Sequence, residues 1–188
     1  MTLSQSILRL LLATATLLMI PLVAMQFTTE VNWTLSDFVF AGAVLFGAGL
    51  LFVLVARNWN NTTYRLAAGV GVAAGLLLVW ANAAVGLVGS EHNPANLLYG
   101  AVLAVAGIGS IAARFRPRGM ARAMYAAAFT YVVVTAIALF VWTPAGNAAE
   151  PQVGLLNVLG ANGAFAALWA VSGWLFQRAG AAAASPGR

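Results

Sequence analysis

Lysine is absent from this 188-residue chain, and so is cysteine. Without lysine there is no side-chain amine for Schiff-base chemistry or retinal attachment. Without cysteine there is no disulfide, no thiol redox chemistry, no iron–sulfur ligation and no thiol-linked lipid. A single histidine, His92, excludes a bis-histidine haem held by this chain alone. Charge is also scarce. Only 7% of the residues are charged, where a soluble domain carries about 25%. What remains is apolar: 62% of the residues are hydrophobic and the mean hydropathy is +0.91. Water is not the solvent for most of this surface.

The few charges are ordered. Arg114, Arg116, Arg118 and Arg122 surround Pro117 and Gly119 between two long apolar runs. Arginine keeps its charge and costs about 2.5 kcal/mol or more at the centre of a membrane helix, so this stretch belongs at a membrane surface. Excess positive charge assigns that surface to the cytoplasmic side. The net charge of +5 raises nucleic acid as a partner, but arginines in short turns between apolar runs are explained by topology. Membrane lipid is the expected partner, with other membrane proteins or a second copy of the chain for the helix faces. No nucleic acid and no cofactor are expected.

Six spans follow in order, each near the roughly 20 residues that cross a bilayer. The first covers residues 1–28. A signal peptide competes with it around Val23-Ala24-Met25, but the run from Leu10 to Met25 is long and Pro21 interrupts it, so a retained helix is expected. The second runs to about Ala56, with Ser36 or Asp37 as its cap. The third is Leu66 to Gly89, with Gly71 and Gly75 spaced for close helix contact. Asn93 is expected to cap the fourth and Pro94 to open it; it ends at Ala113. The fifth is Met120 to Trp142 and the sixth Gln152 to Phe176. All nine arginines then fall on one side and Glu30, Asp37, Glu91 and Glu150 on the other, with both termini cytoplasmic. Residues 1–178 are read as one transmembrane domain and 179–188 as a disordered cytoplasmic tail.

A tandem repeat is also legible. Gly42-Ala43-Val44-Leu45 with Gly49 recurs as Gly100-Ala101-Val102-Leu103 with Gly107. It relates a hairpin over residues 36–92 to one over 94–150, as in transporters built from parallel repeats. Chance matching of Ala- and Gly-rich helices is the equal alternative.

Polar residues inside the spans must find partners away from lipid. Asn82, Tyr99, Thr135, Asn157 and Asn162 all fall in the outer halves of their helices. They read either as a polar vestibule for a cation or small polar solute, or as packing glue between helices, worth about 0.6 kcal/mol each. Glu91, His92 and Asp37 offer imidazole and carboxylates for an outer metal site, but nothing fixes the spacing of Asp37 relative to Glu91 and a solvated turn is the expected reading. Asn93-Pro94-Ala95 spells the aquaporin tripeptide but occurs once, so water-channel homology is not expected. Ser90, Glu91 and His92 lack the third orienting group that a catalytic triad requires, and no enzymatic activity is expected.

Three segments carry a resemblance: residues 32–38 (Asn32 to Phe38), residues 89–96 (Gly89 to Asn96) and residues 114–120 (Arg114 to Met120). In them the chain resembles a family of small, uncharacterised bacterial multi-pass inner-membrane proteins. That resemblance implies a bacterial cytoplasmic membrane and no particular activity. The expectation is an all-α bundle of six transmembrane helices that serves as an accessory or scaffold component, with a small transporter or channel as the alternative.

Overall fold

The computed structural model describes residues 3–88, 93–140 and 155–184, apart from the side chains of Leu155, Asn157 and Ala184. Among them the chain is all-α. Its helices are α1 (Leu3–Phe27), α2 (Leu35–Ala56), α3 (Thr62–Ala84), α4 (Gly100–Ala112), entered through a 3-10 turn at Pro94–Tyr99, α5 (Pro117–Phe140) and α6 (Leu155–Ala184). All six, with the 3-10 turn counted into α4, are long and apolar enough to cross a membrane. The protein is a multi-pass membrane protein.

The helix ends show where local chemistry moved the expected boundaries. Thr34, not Ser36 or Asp37, caps α2, and Asp37 is the third helical residue of a capping box. Its carboxylate accepts from the Thr34 N–H at 2.7 Å, while the Asp37 N–H reaches back to Thr34 Oγ1. Asn61 accepts from the Tyr64 N–H at 3.1 Å, which starts α3 at Thr62 rather than Leu66. It stops at Ala84, short of Gly89: Gly86 takes φ 75° and donates its N–H to the Ala81 carbonyl, a left-handed stop that favours glycine. Asn93 and Pro94 stand at the expected N-cap and first position, but the turn they open is 3-10 as far as Tyr99. Pro117 opens α5, where its missing N–H costs nothing.

The tail departs furthest from the sequence reading. The disorder expected beyond Arg178 gives way to helix as far as Ala184. Alanine is the best helix former, and this segment has something to pack on. Ala179 and Gly180 are buried, and a Cβ on Gly180 would lie 3.3 Å from Pro117 and Arg118 atoms.

The chain divides into two compact units, Met1–Arg57 and Asn58–Arg188, where one domain over 1–178 was expected. The boundary falls inside the first of the two repeat hairpins. In the first unit α1 and α2 form a hairpin. A Cβ on Gly42 would meet Leu18 at 3.3 Å and one on Gly49 would meet Leu10 at 2.5 Å, so the α2 glycines seven residues apart face α1. In the second unit α3 packs on α6, α6 on α5 and α5 on α4, with the 3-10 turn also seated on α5. Its core is aromatic and small by turns: Tyr64, Tyr99, Tyr131 and Phe176 are fully buried among alanines.

Candidate functional site

Four of the polar residues expected inside the spans, Asn82, Tyr99, Thr135 and Asn162, converge at one end of the second unit, opposite its arginines. Tyr99, the last residue of the 3-10 turn, is the hub. Its hydroxyl donates to Asn162 Oδ1 at 2.8 Å and lies 3.1 Å from Thr135 Oγ1. Thr135 Oγ1 donates to the Tyr131 carbonyl at 2.9 Å; with the Tyr99 proton on Asn162, the single Thr135 proton is shared between that carbonyl and the Tyr99 oxygen. The Asn162 amide nitrogen donates to the carbonyls of Leu87 at 3.2 Å and Val158 at 2.9 Å. Both ends of the Asn162 amide are therefore occupied. This knot ties the 3-10 turn to α5, α6 and the segment after α3.

A second polar group lies beside it. Asn96 Oδ1 accepts from the N–H groups of Leu87 at 2.9 Å and Val88 at 3.1 Å. Its backbone carbonyl accepts from Asn82 Nδ2 at 3.0 Å. Asn96 thus pins the chain leaving α3 to the turn entering α4. The other end of the Asn82 amide, Oδ1, is buried with no hydrogen-bond partner. Asn82 lines a cleft of about 430 Å³ between α3 and α4, with Asn93, Asn96 and Tyr99 also on its walls.

At the arginine end the chain makes a strained turn. Arg114 and Phe115 have φ 49° and 55°, left-handed values that side chains with a Cβ rarely adopt. Two long-range bonds hold it. The Phe115 carbonyl accepts from Tyr64 Oη at 2.7 Å and from Trp59 Nε1 at 3.0 Å. Tyr64 in turn packs edge-on against Phe176 of α6, with ring centroids 5.0 Å apart. Arg114, Arg116, Arg118 and Arg122 are all exposed.

The chain matches no protein-family model, no curated protein and no solved structure.

The structure thus brings Asn82, Tyr99, Thr135 and Asn162 to one end of one unit, three of them in direct mutual contact. The Asn157 side chain, Glu91 and His92 lie outside the described residues. Asp37 belongs to the first unit, where its carboxylate completes the α2 cap. Among the described residues, no three of His, Cys, Asp and Glu come together as a metal site would need.

Four residues that matter were not singled out by the sequence reading. Asn96 looked like one more loop polar residue; its signal was its place just after a proline-opened turn, facing the N–H groups freed where α3 ends. Trp59 and Tyr64 stand in a polar turn between apolar runs, a usual place for aromatics at a membrane surface, yet both are donors to one distant carbonyl, and only tertiary structure shows that. Ser172, fully buried, donates to the Ala67 carbonyl across the α3–α6 contact at 2.8 Å.

Proposed function

We propose that this protein is a non-enzymatic accessory or scaffold component of a bacterial cytoplasmic membrane, with both termini inside. The observation that carries the reading is the closed knot of Tyr99, Thr135 and Asn162. These side chains carry the hydroxyl and amide groups a solute pathway would use, and their hydrogen-bonding capacity is turned on one another and on backbone carbonyls. Groups so committed hold helices in register. The arginine turn at the other end, braced by Trp59 and Tyr64, is a second such fastening. The result is a rigid four-helix unit whose outward apolar faces are available to lipid and to other membrane helices.

A second reading, a small transporter or channel for a cation or small polar solute, draws on the α3–α4 cleft, whose walls carry Asn82, Asn93 and Asn96. The two readings part in one experiment. Extraction of the protein with its native lipids gives a second membrane protein in fixed ratio on the accessory reading. Reconstituted alone, it then passes no solute. Flux by the isolated chain that disappears in Asn82→Leu supports the transport reading.

A further inference from the structure

We propose that the outer face of the α5–α6 pair, at the arginine end of the second unit, binds a phospholipid whose head group carries net negative charge. The inference goes beyond the accessory role and does not depend on it.

The contact between α5 and α6 builds this face. Arg118, Arg122, Tyr125 and Phe129 recur on α5 at helical spacing, which puts them on one side of the helix. Two of them touch α6. A Cβ on Gly180 would lie 3.3 Å from Arg118 Cγ, and one on Gly173 would lie 3.0 Å from the Tyr125 ring. Tyr125 also donates its hydroxyl to Gln177 Oε1 at 3.1 Å. Arg118, Arg122 and Tyr125 nevertheless remain exposed. On α6, the next residue after Gln177 is Arg178, whose guanidinium lies over the Trp174 ring, 3.9 Å from its centroid. Stacking uses the flat face of the guanidinium and leaves the N–H groups at its edge for an anion.

Charge selects the head group. The sequence has no Asp or Glu from residue 92 to residue 149 and none after Glu150. No described residue of the second unit is acidic. α5 opens at this end with no acidic residue in its first turn, so the positive end of its dipole adds to the arginines. Phosphate is the anion whose oxygens match guanidinium N–H groups.

Hydropathy selects the rest of the molecule. Phe129 lies about 10 Å further along α5 than Arg122, at a rise of about 1.5 Å per residue. It is 71% exposed, and Val132 beyond it is 56% exposed. Val171 and Trp174 extend the apolar surface on α6 and are exposed as well. One face thus passes from guanidinium to hydrocarbon within the reach of a single lipid. A soluble anion would use only its first part and a lipid without net charge only its second. An anionic phospholipid uses both, as in basic sites between membrane helices.

Intact-protein mass spectrometry from neutral detergent tests this, with the thermal midpoint as a second readout. Phosphatidylglycerol is titrated beside phosphatidylcholine with the same acyl chains, and glycerol 3-phosphate supplies the charge without the chains. The expected result is a saturable phosphatidylglycerol site, at least tenfold tighter than for phosphatidylcholine, with no binding of glycerol 3-phosphate at the same concentrations. Arg122→Gln and Arg178→Gln should each cut that preference at least threefold. Both positions are exposed, so the lipid-free midpoint should stay at the wild-type value; should Arg178→Gln move it, Arg122→Gln decides alone. Arg65→Gln removes the same charge from α3, which meets α6 at Ser172 and Phe176 rather than at this face, and should keep the preference. Equal affinity for the two lipids, a preference untouched in Arg122→Gln, an equal loss in Arg65→Gln, or glycerol 3-phosphate bound as tightly as phosphatidylglycerol overturns the proposal.

Discussion

At the scale of single residues, stability in this protein hangs on hydrogen bonds that lipid cannot replace. Tyr99 and Asn162 are the strongest case, since each uses the other and both are buried. Tyr99→Phe and Asn162→Leu should each destabilise the protein, and the double variant should cost less than the sum. The coupling expected for a bond between membrane helices is about 0.6 kcal/mol on average and up to about 1.7 kcal/mol. A double-mutant cycle in mixed micelles reads it, and strict additivity would show the pair to be independent. Arg114 makes the opposite case, a residue whose backbone is held in a costly conformation. A left-handed residue with a Cβ costs roughly 1–2 kcal/mol, and a β-branched one more. Arg114→Gly should leave the thermal midpoint unchanged or raise it, while Arg114→Val should lower it. Equal effects would mean that φ 49° plays no part in the energetics of the turn. The sequence made Tyr99, Thr135 and Asn162 visible as candidates because polar residues in apolar runs stand out. It could not tell glue from vestibule, since that depends on which atoms face each other across α5 and α6.

At the scale of elements, the two glycines of the Gly71–Gly75 spacing do different work. A Cβ on Gly71 would come within 2.9 Å of Ser172 Oγ and 3.3 Å of Met124 Sδ, in the same place where Ser172 reaches the Ala67 carbonyl. A Cβ on Gly75 would meet Leu103 and Trp169 at 3.5 and 3.7 Å, ordinary contact distances. Gly71→Ala should therefore destabilise the α3–α6 contact, whereas Gly75→Ala should be neutral or stabilise by up to about 1 kcal/mol from helix propensity. Thermal unfolding of the two variants side by side checks this, and equal losses would contradict the assignment. Spacing alone marked both positions, because periodicity reports a face and not the size of what packs against it. The same limit explains α6. Composition made the Ala-rich tail look free, and the contact of Ala179 and Gly180 with the start of α5 is a tertiary fact. The helix starts at Thr62 and Pro117 were misplaced for a local reason: the caps lie in polar turns, where hydropathy carries no information.

At the scale of the whole molecule, the six spans were legible because lipid imposes a length and an apolarity that no soluble fold needs. The division at Arg57 was not, since the apolar runs look alike on both sides of it. The sidedness inferred from the arginines can be measured directly, because a chain without cysteine needs no background removed before single cysteines are introduced. Arg116→Cys and Arg65→Cys should react with a membrane-impermeant maleimide only after the cells are opened. Glu30→Cys should react in intact cells. The accessory role, the central claim, is tested most directly by the mass of the particle extracted from its own membrane with native lipids. The account predicts this chain together with a second membrane protein in fixed stoichiometry. Particles that contain this chain alone would contradict it.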